Sequence, residues 1–278
     1  MPIYKNRPSK PGDTPVWRYL SLDAVIATIK TRRLRFTRVD KFHDPFEGSV
    51  PKSQIDQQQT PLLIAAGSRR IMMNHTMHKH YWGSGMERSA LSGDEDPWTR
   101  ITRLRRARTR SAHACCWSAG DESELLWRLY CRHEGSQGVG VALRTILARL
   151  ERSVAAHDLY VSPITYIRYH EAPPFSDEMD PLLHKRHVFA AESELRLLKS
   201  DDAQYGALVP KDASVPELED HIFVDWAPDD AIDEIVLSPY ADEKYEEAAR
   251  AAIKATDPNL ADRVVLSVLN ERSDPPNF

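Results

Sequence analysis

Three charged residues stand at alternate positions in the segment Phe189–Leu198, FAAESELRLL: Glu192, Glu194 and Arg196. On a strand they share one face, with Ser193, Leu195 and Leu197 on the other. Two carboxylates and a guanidinium lined up beside an apolar stripe are the pattern of a catalytic strand. On a helix the same spacing gives an ordinary i,i+4 ion pair between Glu192 and Arg196. The carboxylates then pair with Lys185 and Arg196 at the surface, for about 0–1 kcal/mol. The spacing alone admits both arrangements.

A second group of candidates lies early in the chain. HDPFEG, His43–Gly48, puts Asp44 and Glu47 around a Pro-Phe pair in a short turn. Asp44 can cap the turn and Phe46 can anchor it, and a loop rich in acid and aromatic groups also makes a pocket wall. CCWS and SELLWRLY each carry a tryptophan beside polar groups, Trp117 with Ser118 and Trp127 with Tyr130. Trp127 and Tyr130 share a helix face and serve either as core or as pocket lining.

Other clusters point to other chemistry. RITRLRRARTR carries Arg100, Arg103, Arg105, Arg106, Arg108 and Arg110. Helical spacing spreads them around the circumference, as on a solvated helix that pairs with acidic groups elsewhere, or as a phosphate-binding face for RNA or DNA. His75, His78 and His80, and again His184 and His187, have spacings that a metal could use, but no cysteine or carboxylate pattern completes a site. Cys115 and Cys116 point to opposite faces of a strand, and a nucleophilic role for either needs an activating neighbour. GVGV, Gly138–Val141, lacks the spacing and lysine of a phosphate loop, and no nucleophile-elbow motif is present.

The composition sets the frame. The 278 residues suit one large domain. A net charge of −4 excludes a globally basic nucleic-acid binder while allowing a local basic patch. Three cysteines, two of them adjacent, form no disulfide or zinc framework, and a reducing, cytoplasmic location is expected. The polar, proline-rich start has no secretory core, and no apolar run approaches the roughly 18 residues that span a bilayer.

The elements that must position these residues are read from periodicity. VWRYL is a strand; Ser21 caps a helix over LDAVIATIK; RLRFT is a second strand. AHACCWS, GVGVAL, LYVSPITYIRY, IFVDW, IDEIVLSP and DRVVLSVLN supply further strand character, and DEKYEEAARAAIKA is a surface helix. Residues 1–15 are expected as a loose arm and 16–278 as one α+β domain. Its sheet is twisted, mostly antiparallel or mixed, wrapped by helices and interrupted by a helical insertion at about 51–110.

Taken in order, WRYLSLDAVIATIKTRRLRFTRVDKFHDPFEG, CCWS, SELLWRLY, GVGVAL, ITY, Lys185 with FAAESELR, and IVLSP resemble a bacterial domain-of-unknown-function family, the one numbered twenty-nine seventy-one. His43 departs from the asparagine expected there. Membership implies no activity. The order is also similar to that of the mono-ADP-ribosyltransferases, with an arginine on the first strand, a serine on a middle strand and a late E-x-E pair. That resemblance implies an NAD-using enzyme that transfers or cleaves ADP-ribose, acting as a bacterial toxin or phage-defence effector. It makes Glu194 the catalytic carboxylate and sets Glu192 nearer the acceptor. Arg18, Tyr19, Asp44, Phe46, Glu47, Trp117, Ser118, Trp127, Tyr130, Lys185 and Arg196 then bind the dinucleotide. The guanidinium of Arg18 would grip the pyrophosphate. The alternative is a non-catalytic regulatory module that binds a nucleotide, or a nucleic acid through the arginine helix.

Overall fold

A computed structural model describes residues 3–4, 12–57, 97–210 and 217–270. Within them the fold is α+β, built on a mixed, mostly antiparallel sheet with helices on both faces. The principal strands are β1 (Ile3–Tyr4), β2 (Pro15–Leu20), β3 (Arg33–Arg38), β4 (Ala112–Ala119), β7 (Val141–Ile146), β8 (Tyr160–Pro163), β11 (Glu194–Ser200), β12 (His221–Asp225), β13 (Glu234–Leu237) and β14 (Val264–Leu266). They run in the order β1-β8-β11-β4-β2-β7-β13-β14. β3 pairs with β4 and carries β12 on its other edge. Within this sheet, among the described residues, only the outer pairs β1–β8 and β13–β14 are parallel. Two small ribbons lie apart, β5 (Arg132–His133) with β6 (Ser136–Gln137), and β9 (Thr165–Ile167) with β10 (His184–Arg186).

Alternation along the strands separates the two faces. Val16, Cys115, Trp117, Val141, Leu143, Leu195 and Leu197 form the main core. Helices α1 (Leu22–Thr31), α4 (Leu147–Ser153) and α8 (Glu243–Thr256) cover it through Val25, Ile29, Leu147, Leu150, Ala249 and Ile253. α1 starts where Ser21 accepts a hydrogen bond from the Ala24 N–H and ends at Arg32, which takes a left-handed conformation, φ 53°. On the opposite face Trp17, Tyr19 and Ala142 pack under Leu126 and Trp127 of α3 (Glu124–Tyr130). Ala112, Ala114 and Leu198 pack under Leu182 and Leu183 of α5 (Asp180–Leu183). Cys116, Ser118, Glu194 and Arg196 lie between these two apolar patches on the same face.

Several expectations are revised. Ile3–Tyr4 is not a loose arm but pairs with β8, and the carbonyls of Gly12 and Thr14 accept from the Ala148 and Leu147 N–H groups. LYVSPITYIRY is two strands in different sheets, divided at Ile164, whose N–H donates to the Glu194 carbonyl instead. DRVVLSVLN keeps only Val264–Leu266 as strand. FAAESELRLL is not strand throughout, because His187–Glu192 is a 3₁₀ helix and β11 begins at Glu194. Of the expected insertion, residues 58–96, with His75, His78 and His80, lie outside the described residues. Its basic end is helix α2 (Pro97–Arg110).

That helix turns most of its arginines inward. Arg108 is buried, stacks on Tyr205 at 3.5 Å and pairs with Glu178 at 2.7 Å. Arg103 donates to the Val209 carbonyl, and Arg110 lies 4.0 Å from Asp40. Arg105 donates to the carbonyls of Pro45 and Glu47 and so fastens the acidic turn. Gly48 closes that turn at φ +71°, where an added Cβ would lie 2.4 Å from Thr109 Cγ2. Gly48→Ala is expected to cost about 1–3 kcal/mol from backbone strain and to lower the thermal midpoint measured by circular dichroism. Among the described residues no helix is long and apolar enough to cross a membrane.

Candidate active site

A split in the sheet creates the cleft. β4 pairs with β2 at Ala119–Val16 and Ser118–Trp17, and with β3 at Ala114–Thr37 and His113–Arg38. Between the two ladders Cys115, Cys116 and Trp117 have no registered partner on that edge. The Ala119 N–H donates to Ser193 O on the β11 side. Antiparallel alternation therefore turns the backbone of Cys116 toward the split. A cavity of about 410 Å³ occupies this opening, within the usual range of small-molecule sites.

One end of the cavity is acidic and tightly networked. Arg196 is fully buried and donates to Glu194 at 2.8 Å, to both Glu47 oxygens at 3.3 Å and to the Leu182 carbonyl at 2.7 Å. Lys185 Nζ lies 2.6 Å from Glu192 Oε2 and 3.2 Å from Glu194 Oε2. Ser193, at φ 44° and ψ 44°, is the left-handed residue that brings Glu192 round to the same lysine as Glu194. Ser118 Oγ donates to the Glu192 carbonyl at 2.8 Å, and Tyr130 OH reaches Glu192 Oε1 at 3.3 Å. The Glu194 N–H donates to Tyr166 OH at 2.7 Å. Glu47, Glu192 and Glu194 against Lys185 and Arg196 leave one formal negative charge in surplus.

Burial acts against the charge of Glu194, but Arg196 and Lys185 outweigh it and hold the carboxyl down at about 2. Burial pushes Glu47 up, opposed by Arg196 and reinforced by Glu194. Burial also works to lower Lys185, yet Glu194 and Glu192 keep it above its ordinary value, so it is an ammonium at neutral pH. Burial and the Glu194 carboxylate raise the Cys116 thiol, which disfavours it as a nucleophile.

These shifts have a sign in stability. Glu194 has a depressed folded value, so its contribution is present above the unfolded value near 4.5 and lost as pH falls toward about 2. Glu47 has a raised value, so its contribution is present in acid and lost as pH rises through its folded value. Urea midpoints followed downward from about pH 5 should fall in the wild type, and fall less in Glu194→Gln.

The other end of the cavity is lined by Arg18, Arg35 and Lys41, of which Lys41 pairs with Asp220 at 3.1 Å and Arg35 bonds His221. Arg18 springs from the core side of β2, reaches the split and donates through Nη2 to the Arg35 carbonyl at 3.2 Å. Its Nη1 is buried with no hydrogen-bond partner among the described residues. The Trp117 ring lies 6.0 Å from the guanidinium.

Ten of the residues expected in the site line this one cavity: Arg18, Tyr19, Asp44, Glu47, Trp117, Ser118, Tyr130, Lys185, Glu192 and Glu194. Three do not. Arg196 lies beneath the floor, and Trp127 is fully buried behind Tyr19 with its Nε1–H on Glu122 at 2.7 Å. Phe46 faces a neighbouring groove instead. Sequence reasoning missed Arg35, Lys41 and Phe189 as lining residues. The alternation of RLRFT carried a signal for Arg35, which must face away from Leu34 and Phe36. Among the described residues no group of three or more His, Cys, Asp and Glu is arranged to hold a metal. Comparison with known protein families, curated proteins and solved structures found no match.

Proposed function

We propose that the chain uses NAD, cleaving its nicotinamide–ribose bond and transferring ADP-ribose to an acceptor or to water. The observation that carries this reading is the polarity of the cleft. A buried, unsatisfied guanidinium nitrogen lies in a cavity whose other end holds ionised Glu194. Phosphates favour the first end, where Arg18 supplies charge-assisted donors. A ribose developing positive charge favours the second, where Glu194 is ionised at any physiological pH.

Ser118, Glu192 and Glu194 also suit this chemistry. Ser118 fixes the backbone of Glu192 next to Glu194, and Lys185 bridges the two carboxylates. Such fixed carboxylates need little reorganisation as the bond breaks. Arg18, Ser118 and Glu194 stand on three successive neighbours of the sheet, β2, β4 and β11.

The test is incubation with NAD labelled in the nicotinamide ring. Release of nicotinamide is expected, and Arg18→Gln should raise KM about tenfold or more by removing a charged hydrogen bond of about 1.5–3 kcal/mol. Absence of release at every NAD concentration, by folded protein, removes the proposal.

A further inference from the structure

A second groove, of about 760 Å³, abuts the acidic end of the cleft. Arg186 is the partition between them. Its guanidinium bonds Asp44 at 2.8 Å, lies 4.5 Å from the ring of Phe46 in the groove, and lies 5.1 Å from the ring of Phe189 in the cleft. A transferase needs two neighbouring binding volumes, and only Arg186 separates this groove from the cleft, next in the chain to Lys185, which pairs with Glu192 and Glu194.

The chemistry of the groove is aromatic and cationic together. Phe46, half exposed at 49%, and Tyr169 give it flat apolar surface. Lys52, Arg105, Arg168 and Arg186 line it, while Asp56 is the one carboxylate among its described lining residues. Asp44 pairs with Arg186 from the cleft side, and Glu171 pairs with Arg168 at a loose, exposed 3.8 Å. Exposed pairs of that kind are weak and give way to a polyanion. Aromatic faces beside cations are the combination that holds a single-stranded nucleic acid, bases stacking and phosphates paired. Of the six arginines of α2 only Arg105 lines the groove, beside Trp98, Ile101 and Thr102 of the same helix.

We propose that this groove binds single-stranded nucleic acid and presents it as the acceptor. This rests on the NAD reading of the cleft. In the transfer the C1′–N bond to nicotinamide breaks and its electron pair leaves with the nicotinamide nitrogen. A base nitrogen of the acceptor donates its lone pair to C1′ and releases its proton to water. The products are the ADP-ribosylated strand, nicotinamide and a proton.

Binding is tested without NAD, by fluorescence anisotropy of a short labelled oligothymidylate at low and physiological salt. Affinity should weaken as salt rises, and the double variant Lys52→Glu/Arg168→Glu should bind at least about tenfold more weakly. Both side chains are at the surface, so the variant should keep its fold and its NAD turnover without oligonucleotide. No binding at low salt, binding unaffected by the double variant, or equal displacement by polyglutamate overturns the proposal. Binding without NAD turnover supports the groove and counts against the NAD reading of the cleft. Turnover without binding overturns the groove alone.

Discussion

Glu194→Gln should lower the turnover number for NAD by about 10²–10⁴-fold while leaving a folded protein. Glutamine has nearly the shape of glutamate, and its carbonyl can still accept from Arg196. What it loses is the negative charge that the proposed mechanism sets against the ribose. Glu194 is well suited to supply that charge, since Arg196 and Lys185 hold it ionised and oriented. Loss confined to the turnover number, with KM little changed, marks an interaction made in the transition state. Equal turnover by mutant and wild type would remove Glu194 from the chemistry and leave the network a structural one. The variant leaves Lys185 paired to Glu192 and Arg196 paired to Glu47. Near-ultraviolet circular dichroism separates a catalytic loss from a folding loss.

Arg196→Met should destabilise the whole domain by about 3–5 kcal/mol. The arginine has no exposed surface and serves Glu194, Glu47 and the Leu182 carbonyl at once. Methionine fills much of the space and satisfies none of them. Two nearly buried carboxylates then remain with Lys185 as their only nearby cation in the network. A protein of this size should lose roughly 6–20 °C of thermal midpoint. The double variant Arg196→Met/Glu47→Leu should recover part of the loss, because the unpaired charge rather than the missing side chain carries most of the cost. No recovery would show that packing around the guanidinium dominates. The two variants therefore separate two roles within one network: the proposed action of Glu194 on NAD, and the hold of Arg196 on Glu194 and Glu47.

The sequence by itself determined the local structure and the identity of most candidates. Apolar alternation in VWRYL, RLRFT and AHACCWS marks β2, β3 and β4. Ser21 marks the start of α1, because its side chain accepts one of the first free backbone N–H groups. Strand alternation and the helix cap are short-range signals, so a single chain displays them openly. The E-x-E-x-R spacing was also legible, although one of its carboxylates lies outside the strand.

Tertiary structure decided the environment of those groups. Nothing in the spacing told whether Glu192, Glu194 and Arg196 formed a solvated surface pair or a buried network, since that depends on Glu47 arriving from a turn far away in the chain. Nor did it tell that β4 pairs with two different strands along one edge, which opens the cleft and turns Cys116 and Arg18 toward it. It could not separate Trp127, sealed behind Tyr19, from Tyr130 three residues on, half exposed at the cavity. Register and burial are properties of contacts between distant segments, and a local pattern constrains which face a residue takes, not what will lie against it.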